Sequence, residues 1–127
     1  MTDSETTLAQ LRQIVEQFVD RRDWHQFHTP KNLAMSLAVE AAELMEHFQW
    51  LTAEQSRAVA RQPDKLRAVA EELADVLCYV LAMANELGLD LSACFEDKIG
   101  KNEQKYPAPE YRGRFGPEDP SPASGVD

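Results

Sequence analysis

Basic residues are scarce in this chain: 13 Lys and Arg stand against 22 Asp and Glu over 127 residues, a formal net charge of -9. A nucleic-acid binder draws its affinity mainly from neutralising phosphates, and an anionic membrane surface makes the same demand, so the charge argues against both partners. No apolar run nears the roughly 18 residues of a membrane span, and Met1 to Asp20 lacks the basic-then-apolar order of a secretory signal. A cytoplasmic protein is expected. Cysteine is limited to Cys78 and Cys94, whose spacing matches neither a CxxC pair nor a zinc ligand set, so two free buried thiols are expected. Before residue 108 glycine stands at Gly88 and Gly100 alone, in no Walker-type loop. A bound phosphate would therefore be held by metal and side chains rather than by a backbone cradle. Alternating apolar runs bounded by turn residues are also missing, which argues against a sheet.

What is present is helical periodicity. Leu8, Leu11, Ile14, Val15, Phe18 and Val19 recur at spacings of three and four and predict a first helix. Arg21 to Lys31 is aromatic and basic without a period, and reads as a structured loop. A second helix is expected from Pro30, a residue suited to the first turn, with Leu33, Leu37, Ala41, Leu44, Phe48 and Leu51 on one stripe. Thr52 and Gln55 form a capping box for a short third helix that stops before Pro63. A fourth runs from about Asp64 to Gly88, a natural C′ residue. Asp90 caps a fifth, from Leu91 to about Lys105. The expected fold is all-α, a bundle of four to five helices with two long central ones. Five of the seven prolines follow Tyr106, so residues 1–107 are read as the domain and 108–127 as a Pro/Gly-rich flexible tail.

The two long helices carry acids where a bundle buries apolar side chains. Helix two reads Glu40-Ala-Ala-Glu43-Leu-Met-Glu46, and helix four reads Glu71-Glu72-Leu-Ala-Asp75. An acidic pair at i, i+3 is common on a solvated face, but such faces intersperse both signs. Here the intervening residues are Ala, Val, Leu and Met, and no Lys or Arg lies within one turn. Glu72 falls inside an arc bounded by Val69, Val76, Tyr79 and Met83, and Glu40 lies beside Leu33, Leu37 and Leu44. An ionised carboxylate in such a setting is costly unless it is paired or ligates a cation. Glu40, Glu43, Glu72 and Asp75 are therefore candidate metal ligands. Their hard oxygens suit Mg²⁺, with Mn²⁺ as a substitute, and no Glu-x-x-His of the di-iron bundles occurs. Lys98, Lys101, Asn102 and Lys105 line the last helix, and Trp24, Phe27 and Trp50 flank the acidic helix. Metal carboxylates, lysines and aromatics together fit a nucleotide-phosphate site.

At these residues the chain resembles the MazG-like all-α nucleoside triphosphate pyrophosphohydrolases. Their ExxE, spacer, ExxD pattern is met by Glu40, Glu43, Glu72 and Asp75. The single-domain dCTP pyrophosphatase branch is more similar still, in the blocks Arg22 to His28, Glu40 to Trp50, Glu71 to Tyr79, Lys98 to Asn102 and Lys105-Tyr106-Pro107. The resemblance covers about residues 8–107. It implies Mg²⁺-dependent hydrolysis of a (deoxy)nucleoside triphosphate, dCTP or a modified dCTP, to the monophosphate and pyrophosphate. It implies that the four acids hold the metal, that Trp24, His28, Trp50 and Tyr79 shape the base and sugar pocket, and that Lys98 and Asn102 contact phosphate. It also implies a homodimer or a dimer of dimers. The chain departs from that branch at Val15, where the branch carries a histidine. Phosphoryl transfer further needs a group to orient or deprotonate water, with Glu46 the first candidate and Glu43 the next. The alternatives are another all-α pyrophosphohydrolase, such as a dUTPase-like enzyme, and a non-enzymatic helical interaction module.

Overall fold

The computed structural model describes residues 1–114, 116, 118 and 119, and among these every regular element is a helix. In chain order they are α1 (Leu8–Asp20), α2 (Pro30–Glu46), α3 (Ala53–Ala58), a 3₁₀ turn (Val59–Arg61), α4 (Pro63–Leu87), α5 (Leu91–Lys105) and α6 (Ala108–Tyr111). The chain divides into two compact units, Met1–Leu89 and Asp90–Asp127. No single described helix is long and apolar enough to cross a membrane. Of the 108–127 segment read as a tail, residues 108–111 form α6, while 115, 117 and 120–127 lie outside the described residues.

The local rules that set these boundaries are visible atom by atom. Thr7 and Thr52 each head a capping box, with the threonine hydroxyl accepting the Gln10 or Gln55 N–H and the glutamine oxygen accepting the threonine N–H. Thr29 caps α2 ahead of Pro30, and Asp90 caps α5 through the Ala93 N–H at 2.9 Å. Gly88 ends α4 at φ 64°, and the Leu89 N–H returns to the Ala84 carbonyl at 3.0 Å to close a Schellman motif. One boundary differs from the periodicity. The apolar stripe runs on through Phe48 and Leu51, yet α2 stops at Glu46 and residues 47–50 form turns. After Glu46 the His47 and Phe48 N–H groups bond three residues back, to the Leu44 and Met45 carbonyls, and Thr52 is extended (φ -71°, ψ 164°) to receive the Gln55 N–H, so α2 does not run on into α3.

In the first unit α2 packs along α4, and α1 lies against α4 as well. The fully buried apolar residues are Val19 of α1, Leu33 of α2, Val59 of the 3₁₀ turn, and Leu81, Ala82 and Ala84 of α4. Burying a side chain such as Leu33 stabilises by about 1.5–3 kcal/mol. A polar clasp locks α1 to the end of α4. Arg12 donates from Nε to Asn85 Oδ1 at 3.0 Å and from Nη2 to the Ala84 carbonyl at 3.2 Å, and it also reaches the Leu89 carbonyl. Asn85 answers by donating to the Arg12 carbonyl at 3.0 Å. The guanidinium thus adds a further donor to the Ala84 carbonyl, binds the Leu89 carbonyl just past the helix end, and complements the negative dipole end of α4. The second unit has no fully buried residue on α5 or α6.

The thiols correct the sequence expectation, because both Cys78 and Cys94 are exposed. Cys78 lines a cavity rather than the core, and α5 offers Cys94 no buried face. Replacing Arg12 with Ala should destabilise the fold by about 1.5–3 kcal/mol, the worth of charge-assisted hydrogen bonds. Chemical denaturation checks this, and Arg12→Lys should recover part of the loss.

Candidate active site

The packing of α2 along α4 brings the predicted acids face to face. Carboxylate oxygens of Glu40, Glu43 and Glu72 all lie within 4.8 Å of one another. Glu40 and Glu72 are half-buried, Glu43 is exposed, and one oxygen of each half-buried acid is shielded from solvent without a hydrogen-bond partner. Partial burial, then contact with Glu43, pushes the Glu40 carboxyl from 4.5 up to about 7, with Asp75 and Glu72 adding to the shift. Glu72 is raised for the same reasons, burial first and then Glu43. These are acids that a neutralising charge would relieve. Among the described residues the one basic group near them is His47, whose Nε2 is 4.0 Å from Glu72.

The donor set fits a hard divalent cation. It offers carboxylate oxygens from two helices, two of them shielded and unpartnered, with neither thiolate nor clustered imidazole among them. Asp75 is outside the tight trio but faces both half-buried acids closely enough to raise their pKa values. Glu46, the last residue of α2, is exposed and also outside the trio. His47 follows the end of α2. It stands one turn after Glu43, and only the packing of α4 against α2 brings it to Glu72.

Beside the acids lies a pocket of about 290 Å³. Its walls are Ile14, Val15, Phe18 and Val19 from α1, Trp24 and His28 from the following loop, and Asp75, Cys78, Tyr79 and Ala82 from α4. The pocket is therefore mostly apolar and aromatic, with Asp75 belonging to both it and the acidic field. Tyr79 also lines a shallower hollow with Asn32, Ser36 and Glu40, on the α2 side. Partial burial, then Asp75, raises the Cys78 thiol above 9.0. Sequence reasoning picked out Trp24, His28 and Tyr79, but read Ile14, Phe18 and Val19 simply as a helix stripe and Cys78 as buried.

The loop owes its shape to the end of α1. Asp23 is left-handed at φ 52°, its N–H bonds to the Asp20 carbonyl at 3.0 Å, and the Trp24 N–H bonds to the Val19 carbonyl at 3.1 Å. That pairing is a Schellman motif with aspartate in the glycine place. Its usual apolar contact is here Trp24 edge-on against Phe18, ring centroids 5.8 Å apart. The indole is thereby set into the pocket wall. His28 follows one turn later, with its Nδ1 shielded and unpartnered.

The other predicted residues are placed differently. Trp50 follows the end of α2 in a turn, is 87% exposed and lines none of these pockets. It is not core, and the helical spacing that put it two turns past Glu43 does not apply. Lys98 and Asn102 stand one turn apart on α5, in the second unit. Lys101 pairs with Asp97 at 2.8 Å on the exposed face of α5.

A family model described as MazG-like matches residues 35–114. Over 109 residues, 86% of this chain and 64% of the relative, the chain is 40% identical to dCTP pyrophosphatase 1 of Rattus norvegicus. It is 39% identical over 104 residues to dCTP pyrophosphatase 1 of Homo sapiens, covering 82% of this chain and 61% of that one. The chain thus spans somewhat less than two thirds of the length of these curated relatives. Among solved structures, a pyrophosphatase from Archaeoglobus fulgidus is 37% identical, with a TM-score of 0.71, over 84% of this chain and 98% of that one.

The raised carboxyls predict a pH signature in metal-free protein. A group whose folded pKa lies above its unfolded value binds its proton on folding, so its ionisation weakens the fold as pH climbs from 4.5 to about 7. Glu40→Gln should therefore be more stable than the parent above pH 7, with the gap closing toward pH 4.5. Saturating Mg²⁺ should reverse the order. Melting curves in chelator and in Mg²⁺ across that range provide the check.

Proposed function

We propose, because this chain belongs to the MazG-like family, that it is a Mg²⁺-dependent pyrophosphohydrolase of (deoxy)nucleoside triphosphates, with dCTP or a modified dCTP as its substrate. The observation that carries this reading is the sharing of Asp75 between a self-repelling carboxylate cluster and an aromatic-walled pocket. Such an arrangement offers a triphosphate a cation at one end and a base a stacking surface at the other. The names of the relatives support the same chemistry.

Glu40, Glu43, Glu72 and Asp75 would hold the cation. When bound, that cation supplies neutralisation of phosphate charge and a lowered pKa for bound water. The chain's own residues do the rest. Glu46, exposed at the end of α2, would orient or deprotonate water, with Glu43, exposed beside the half-buried pair, as the next candidate. Trp24 and Tyr79 offer faces to the base, and His28 offers an unpartnered ring nitrogen. Trp50, Lys98 and Asn102 join this reading by resemblance, Trp50 at the base and the other two at phosphate. The enzyme would act on free nucleotide in the cytoplasm.

A homodimer or dimer of dimers belongs to the same proposal. Met35 and Val39 on α2, and Leu66, Leu73 and Leu77 on α4, recur at helical spacing and remain exposed. Apolar stripes of that kind mark interfaces. Light scattering at micromolar concentration should give two or four times the 14.4 kDa of one chain. A value of 14.4 kDa would remove the oligomer.

Pyrophosphate release across a panel of canonical and modified nucleotides tests the activity. Glu72→Gln should lose turnover by two orders of magnitude or more, the scale of removing one electrostatic stabiliser from an active site, while its helices stay folded. Near-parental turnover of that variant at limiting Mg²⁺ would overturn the metal assignment.

A further inference from the structure

Outside the acidic site the chain holds a second charged cluster, built around His25 in the loop after α1. His25 Nδ1 lies 2.6 Å from Glu86 Oε1 on α4. Its Nε2 lies 2.8 Å from Asp20 Oδ1 and 3.0 Å from Glu16 Oε1, both on α1. Both ring nitrogens thus face carboxylates at hydrogen-bond distance. A neutral imidazole has one N–H to give, so satisfying both sides calls for the imidazolium. The neighbouring charges do not compete for it. Arg12 of α1 is engaged with Asn85 and the carbonyls of Ala84 and Leu89. Arg22 stacks over the Phe18 ring at 3.6 Å and donates to the Phe18 carbonyl. Asp23 receives the Gln26 amide, and Arg21 is exposed.

The residue so held sits between the two loop residues that line the pocket, Trp24 directly before it and His28 three positions later. The His25 carbonyl also accepts the His28 N–H at 3.2 Å. The loop's other bonds stay within itself and its flanks, as in the Phe27 and His28 N–H groups on the Trp24 carbonyl and the Asn32 side chain on the Phe27 carbonyl, whereas His25 reaches across to Glu86 of α4. We infer that His25 is a positioning residue: as an imidazolium shared by Glu16, Asp20 and Glu86, it staples the loop across α1 and α4. The staple fixes Trp24 and His28 in the pocket wall, so nucleotide affinity falls as His25 gives up its proton. The effect on affinity rests on the pyrophosphohydrolase reading of the pocket; the staple itself does not.

The direction of the pH effect follows from the cluster. Glu86 first, then Asp20 and Glu16, hold the His25 pKa above 6.5 against the opposing effect of partial burial. The staple is therefore complete below pH 6.5 and is lost as pH rises through the raised value. Where the loop is ordered in only one molecule in ten, apparent affinity drops by about tenfold.

The test compares the full-length parent with His25→Gln and His25→Arg, each in saturating Mg²⁺ from pH 6 to 9. KM for the best nucleotide of the panel should be about tenfold higher in His25→Gln at pH 6, with kcat little changed, and the gap should close as pH rises. His25→Arg, a cation throughout, should keep the low KM at every pH. Equal KM for parent and His25→Gln at pH 6, or a His25→Arg profile that follows the parent's, would overturn the staple. Hydrogen exchange of the loop amides and the Trp24 indole N–H, without nucleotide, separates this from failure of the activity itself. Protection lost in His25→Gln and kept in His25→Arg supports the staple even where no nucleotide is hydrolysed. Unchanged protection in His25→Gln refutes it.

Discussion

Glu40, Glu43 and Glu72 are held within 4.8 Å of one another on two packed helices, and the fold must keep them there against their mutual repulsion. Much of the first unit answers that demand. The α2–α4 contact supplies the apolar burial that fixes the two helices, and the lack of a lysine or arginine partner leaves the charge uncompensated. Partial burial, together with Glu43 and the other acids close by, raises the Glu40 carboxyl to about 7. Holding three acids together costs the fold part of its stability, and under the proposed function that geometry would need little reorganisation to take a cation.

The pocket is set by a different device. It hangs on the way α1 ends. A left-handed Asp23 turns the chain back, and the Phe18–Trp24 contact that accompanies this turn sets the indole in the wall. The Arg12–Asn85 clasp then holds α1 against α4, which supplies the opposite wall with Asp75, Cys78 and Tyr79. Asp75 belongs to both constructions. The acidic field and the apolar cavity are therefore adjacent because α4 presents Glu72, Asp75 and Tyr79 along one face, within two turns of a single helix.

The helices and their caps were legible because they are local. Thr52 with Gln55, Pro30, Gly88 and Asp90 act on backbone groups within four residues, and a rule of that range can be read from a string of letters. The acids were legible for a similar reason, since an i, i+3 pair without nearby bases is conspicuous on a helical wheel. The end of α2 was misread because periodicity says which face is apolar but not where helical bonding gives way to turns. Cys78 was misread as buried because a residue that lines a cavity and one that fills a core share the same apolar stripe.

The amino-acid sequence by itself determined that the chain is helical, where five of its helices begin and, α2 apart, end to within a turn or so, and that its two longest helices each carry an acidic pair lacking basic neighbours. The tertiary structure alone decided that these pairs meet, that His47 faces Glu72, that Arg12 clasps Asn85 and that His25 gathers Glu16, Asp20 and Glu86. Each of the latter joins residues on different elements, as many as 73 positions apart. Helical periodicity fixes the direction of a side chain about its own axis, but carries no information on which second helix stands opposite. That choice is made by the summed burial of whole apolar faces, and the polar contacts follow from it.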